Sequence, residues 1–357
     1  MEKNNEQLDL LQKKLQDYLE TKRVKFPRFY FLSNDELLQI LAQTTDARAV
    51  QPFMNKCFDA ISSLQFCSEK DMKEKKTDVA EMTPEEKKAF SKLNPNSADF
   101  VTAMVSVENE VVPLLKPVPT HSPVEEWLLE FKHEMCRTIN VAILAVDQIV
   151  WTQNVEEALT KVESGEDKNP IDVYSGKVKD QLAEAVNLVR GSLAPLERAT
   201  INTVIVIDVH ARDIVNQLLQ KGITSKEDFD WMVNLRYNFD EEKQITLVKQ
   251  TNTSIEYGNE YFGNSPRLVI TPLTDRCDVT LTLSLHLRLG GNPAVARQCV
   301  VFNYSDEIDY MMMGRFFSGL VLAGAWACFD EFNRIDIDVL SVIAQHSNKS
   351  ETWLNLL

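Results

Sequence analysis

Glycine and proline are scarce in this chain, 11 and 13 among 357 residues, which excludes collagen-like and low-complexity architectures. Histidine occurs five times, as His121, His133, His210, His286 and His346, at no metal-ligand spacing. The six cysteines, at 57, 67, 136, 277, 299 and 328, are scattered, and no pair has the close spacing of a zinc knuckle. They are expected as reduced, mostly buried thiols of an intracellular protein. No apolar run approaches the roughly 18 residues of a membrane span, and the start, Met1-Glu2-Lys3-Asn4, offers no signal-peptide core. Neither export nor membrane insertion is expected. Positive charge is in deficit, 38 Lys and Arg against 53 Asp and Glu, so the net charge of −15 argues against nucleic acid and anionic membrane as partners. No Gly-x-Ser-x-Gly elbow is present.

What remains is a globular composition, 44% hydrophobic and 25% charged, long enough for about two to three domains. Leu8, Leu11, Leu15 and Tyr18 form a 3-4-3 apolar seam on a charged helix that stops near Pro27. Ser33 to Glu36 supply an N-cap for a second helix. A Lys- and Glu-rich stretch over 69–97 reads as a solvated hairpin or loop. Ser122-Pro123-Val124-Glu125 is a capping box, and behind it Trp127, Leu128, Phe131, Met135, Ile139, Ala142 and Val146 place one apolar face on a long helix to about Trp151. Further helical patterns carry Leu182, Val186 and Val189, then Ile205, Val209, Ile214 and Leu218 up to Gly222. On this reading almost everything before Phe239 is helix.

The period changes after Phe239. Ile245 and Leu247, then Ile255 and Tyr257, alternate with polar residues about a Thr251-Asn252-Thr253 turn and suggest a hairpin, so a boundary is expected near 240. Beyond it, buried strands at 298–302 and 325–329 alternate with helices at 310–322 and 337–344, the pattern of a parallel sheet covered on both faces. The expected fold class is thus a mostly α helical-bundle region over 1–240, then an incomplete α/β module over 241–357.

The second strand ends in Asp330-Glu331, the Walker B arrangement: Asp330 would hold Mg²⁺ and Glu331 would polarise the attacking water. Its partner, the Gly-x-x-x-x-Gly-Lys-Ser/Thr phosphate loop, is missing. The lone Gly176-Lys177 is followed by Val178, and Gly290-Gly291 is followed by neither lysine nor a helix start. The aromatic run Phe29-Tyr30-Phe31 reads as core, with a docking groove as the lesser alternative.

The stretch Phe26-Pro27-Arg28-Phe29-Tyr30-Phe31-Leu32-Ser33-Asn34-Asp35-Glu36 resembles the linker of dynein heavy chains, as do Asp228-Phe229-Asp230-Trp231 and Leu235-Arg236-Tyr237. Thr271-Pro272-Leu273-Thr274-Asp275-Arg276-Cys277, residues 298–305, and Gly324-Ala325-Trp326-Ala327-Cys328-Phe329-Asp330-Glu331-Phe332-Asn333 are similar to the first AAA+ module of that family, in its axonemal form. The resemblance implies an ATP-driven, minus-end-directed microtubule motor for ciliary movement, located in cytoplasm, cytoskeleton and axoneme. By that match Pro272, Leu273 and Thr274 lie in a loop that contacts adenine, Asp330 is the Mg²⁺ acid and Glu331 the catalytic base. Expected partners are microtubules and the dynein intermediate, light intermediate and light chains.

Two departures qualify what the resemblance implies. Only residues 292–297 bridge Gly291 and Gln298, where the family has the phosphate loop and a helix, and six residues cannot make a parallel crossover. After His346 the family pattern is also lost. The expectation is a truncated dynein product that does not usefully bind ATP or Mg²⁺, with its AAA+ portion poorly ordered or exposing apolar sheet edge. The alternatives are a degenerate nucleotide-binding protein retaining Walker B, and a linker-type module docking on dynein subunits.

Overall fold

The computed structural model describes residues 2–42, 46–68, 99–140, 143–166, 169–263, 269–287, 297–303 and 310–330. Helix α1, Glu2–Lys25, is followed by a 3₁₀ turn at Pro27–Phe31, which Pro27 starts by fixing its φ. Helix α2, Asn34–Ala42, is capped reciprocally: Glu36 N donates to Ser33 Oγ at 3.2 Å and Ser33 N to Glu36 Oε2 at 3.0 Å. The seam expected on α1 exists but faces solvent, with Leu8, Leu11, Leu15 and Tyr18 all exposed. Leu19 and Arg23 dock the helix instead, Arg23 donating to the carbonyls of Phe29 and Leu32 and to Asn34 Oδ1.

An all-helical first region is not what forms. After the short helix α3, Met54–Cys57, strands β1 (Ile61–Ser68), β2 (Asp99–Ser106) and β3 (Val111–Pro119) make an antiparallel sheet in the order β1-β2-β3. Its β2–β3 turn is built on Ser106, whose Oγ accepts from the amides of Glu108 and Glu110, and on Asn109 at φ 62°. The expected loop at 69–97 lies outside the described residues. Helix α4, Val124–Asn140, lays Trp127, Leu128, Phe131 and Met135 on this sheet, closing a core with Phe26, Phe29, Leu37, Phe58 and Val101.

The long helix expected to run to Trp151 is described as two helices serving two cores. Helix α5, Ile143–Ser164, joins α6 (Pro170–Arg190), α7 (Pro195–Lys221) and the short α8 (Phe229–Met232), and Val146 is exposed while Trp151 packs on Trp231 at 5.5 Å. Proline opens both α6 and α7. Helix α7 ends on Gly222 at φ 62°, with Ile223 N donating to Leu218 O at 3.1 Å, the left-handed stop expected from the sequence.

Strands β4 (Arg236–Asp240), β5 (Ile245–Gln250) and β6 (Thr253–Glu256) form a second antiparallel sheet in that order, which includes the expected hairpin. The boundary expected at 240 falls at the end of β4, in the turn to β5, within this sheet. Helix α9, Pro272–His286, leads toward strand β7, Cys299–Asn303, helix α10, Tyr310–Ala323, and strand β8, Trp326–Asp330. The chain is therefore a mostly helical body followed by α/β elements, as expected. The helix expected at 337–344 lies outside the described residues. Among those residues, no helix is long and apolar enough to cross a membrane.

Candidate functional site

Strands β7 and β8 pair in parallel, from Cys299 against Trp326 to Asn303 against Asp330, with α10 as the crossover. Gly324 ends α10 at φ 62°, which lets Ala325 N reach Leu320 O at 3.1 Å and Trp326 N reach Gln298 O at 2.7 Å, so pairing begins immediately. Val300 and Ala327 pack against the α10 cluster of Met313, Phe316, Phe317, Leu320 and Ala325. Their neighbours Val301 and Cys328, themselves a register pair, are exposed on the opposite face. The strands expected to be buried on both faces are thus covered on one. Alternation along each strand puts one residue of every neighbouring pair away from α10.

Asp330 closes β8 at the carboxyl end of the pair, level with Asn303, where an open parallel sheet presents residues to a ligand. Glu331 lies outside the described residues. The expected adenine loop is instead the first turn of α9. Pro272 takes the first helical position, and Thr271 and Thr274 cap each other: Thr271 N donates to Thr274 Oγ1 at 2.7 Å, Thr274 N to Thr271 Oγ1 at 3.3 Å, and Thr274 Oγ1 to Thr271 O at 2.8 Å. Leu273 is 70% exposed. The printed contacts of α9 run to the helical body rather than to β8, through His210 on α7, whose Nε2 lies 3.7 Å from Asp275, and through Thr253 Oγ1 to Thr282 O at 3.5 Å.

A site that sequence patterns did not reveal joins the α/β elements to the body. Arg28, from the 3₁₀ turn, donates from Nη1 to Glu260 Oε1 at 2.7 Å and to Cys57 O at 2.9 Å, and from Nη2 to Glu260 Oε2 at 2.6 Å. Its guanidinium carbon lies 4.5 Å from the centre of the Phe58 ring. Gln298, one residue before β7, donates to the same Cys57 carbonyl at 3.1 Å. Burial sets the surrounding titrations: it pushes the Asp59 carboxyl up, helped by Glu260, and holds Lys132 below its usual value, helped by Arg28. The thiols of Cys57 and Cys136 are driven up to about 12 and about 11 by the same desolvation, so neither is a ready nucleophile. All six cysteines are free, as expected, but Cys57 alone is fully buried, and Cys277 and Cys328 are exposed.

The donor set fits a magnesium triphosphate poorly. Asp330 marks a place for a metal acid, but the hydroxyls of Thr271 and Thr274 are spent on capping, and the sequence supplies no phosphate-loop lysine. Among the described residues, no group of three or more His, Cys, Asp or Glu side chains could hold a metal ion.

The family described as "Dynein heavy chain, N-terminal region 2" matches residues 1–145, and that described as "Hydrolytic ATP binding site of dynein motor region" matches residues 257–352. Dynein axonemal heavy chain 1 of Mus musculus is 42% identical over 382 residues, covering 96% of this chain and 8% of that relative. Dynein axonemal heavy chain 6 of Homo sapiens is 42% identical over 387 residues, with 96% and 9% covered, and dynein axonemal heavy chain 3 of Mus musculus is 42% identical over 389, with 97% and 9%. The chain spans about a tenth of the length of the curated relatives it matches.

Proposed function

The chain belongs to the axonemal dynein heavy chain family, and from that premise we propose that it is a linker-type structural segment with no nucleotide turnover of its own. One observation carries this reading: six residues, 292–297, stand between Gly291 and Gln298 where a phosphate loop and a helix are needed. The relatives support it, since the match to the mouse chain 1 runs over 382 residues against 357 here, so at least 25 of its residues (382 less 357) have no counterpart. Without the loop's amides and lysine most of the phosphate affinity is gone, and Asp330 and Glu331 are carboxylates without a reaction to serve.

The family's ATP-driven motion along microtubules, its axonemal and cytoskeletal location, and its intermediate, light intermediate and light chains are attributes of the whole assembly, in which this segment takes part only as a body to be held. We place the division between its two regions after Glu256, where the β4–β5–β6 sheet ends and the second family match begins.

Phosphate release from Mg-ATP is the test. The chain should show no turnover above a Glu331→Gln control. Turnover that this substitution abolishes would overturn the reading and restore the degenerate enzyme.

A further inference from the structure

Arg28 and Glu260 are 2% and 6% exposed, and their bidentate pairing spans 232 residues of sequence. The pair belongs to a longer chain of bonds. Arg28 and Gln298 share the Cys57 carbonyl, and the Gln298 carbonyl accepts the Trp326 amide, so the path runs from Glu260 through the 3₁₀ turn into both β7 and β8. Two residues along the same turn, the contact becomes apolar. Phe31 meets Phe316 edge-on at 6.0 Å, and Gly319 of α10 lies so close beneath Tyr30 that a Cβ there would stand 2.5 Å from the Tyr30 Cβ.

Glu260 is itself held on both sides. Cys136 Sγ lies 3.7 Å from the Gly258 carbonyl, and Tyr261 donates its hydroxyl to Glu110 Oε2 at 2.8 Å. The carboxylate therefore cannot follow Arg28 if the turn shifts. The unit β7–α10–β8 has no comparable independence, because two strands and one helix bury too little to stand alone and its cluster is completed by Phe31 from the body.

We propose that the Arg28–Glu260 pair is the lock of a joint that fixes the orientation of β7–α10–β8, and with it the Asp330 strand end, on the helical body. This stands whether or not the chain binds nucleotide. A desolvated pair suits the task because it is close to all-or-none: with one partner removed, the other is left as an uncompensated buried charge, and the fold yields at the segments that this bond path supports. Packing at Tyr30 and Phe31 alone would let the unit slide.

Hydrogen exchange by mass spectrometry on the full chain tests this. Glu260→Gln and Arg28→Met should each raise exchange within 299–330 by about tenfold, while α6 and α7 change by less than about twofold. Replacing both partners by leucine should recover much of the protection, since it leaves no orphan charge. Gln298→Ala keeps the ion pair and serves as a milder variant if the others fail to fold; it should raise exchange in the same peptides by a smaller factor. Unchanged exchange over 299–330 in these variants, or a rise spread evenly over the molecule, would overturn the proposal.

Discussion

Thr152 is fully buried on α5, and its hydroxyl does two jobs: it donates to Gln148 O at 2.8 Å and accepts the Tyr237 amide at 3.0 Å, tying the helix to β4. Thr152→Val keeps the shape and strands that amide, so a loss of about 1–3 kcal/mol is expected from urea unfolding, with Thr152→Ser losing less. Asp208 on α7 acts in the opposite sense. Burial, and then Asp147 on α5, raise its carboxyl from 3.8 to about 6. The fold thus favours the protonated form, and that stabilisation is complete below about pH 4 and lost as pH rises through 6. Asp208→Asn should raise the melting midpoint at pH 7.5 by about 2 °C and leave it unchanged at pH 4. The Arg28–Glu260 pair shows why such residues escape a reading of sequence. Helical and strand periods report neighbours a few positions apart, and these partners are 232 positions apart.

The helices were legible wherever an apolar face coincided with a cap: Ser122-Pro123 ahead of α4, Gly222 after α7, and the 310–322 stretch that became α10. The first sheet was not. Its alternation is interrupted by bulges between Gln65 and Phe66 and between Val101 and Ala103, and β3 carries Pro113, Pro117 and Pro119, which demote a run to loop in a reading of propensity. The prolines are tolerated because β3 is an edge of the sheet as described. On α1 the seam was read correctly, but periodicity reveals a face and not what covers it. Close approach is likewise invisible in sequence, and Gly319 is the case that tests it. Alanine normally stabilises a helix interior by about 1 kcal/mol relative to glycine, yet here its Cβ would overlap Tyr30. Gly319→Ala should therefore destabilise, by about 1–3 kcal/mol in denaturant titration.

At the scale of the whole chain, the candidate site was legible as motifs but not as a site. Asp330 ends a parallel strand as the sequence pattern implied, whereas Pro272, Leu273 and Thr274 start a helix whose contacts run to α7 and β6. A cut at residue 240 separates β4 from β5 and takes Phe31 away from the α10 cluster. A fragment of residues 241–357 should accordingly be degraded under limited proteolysis that leaves the full chain intact. The account's central claim is that the nucleotide chemistry of the family has been removed while its structural body remains. Calorimetric titration of the folded full chain with Mg-ATP, beside an Asp330→Ala variant, tests that claim most directly. The account predicts no measurable heat of binding from either protein. Micromolar binding by the natural chain, abolished in the variant, would contradict it.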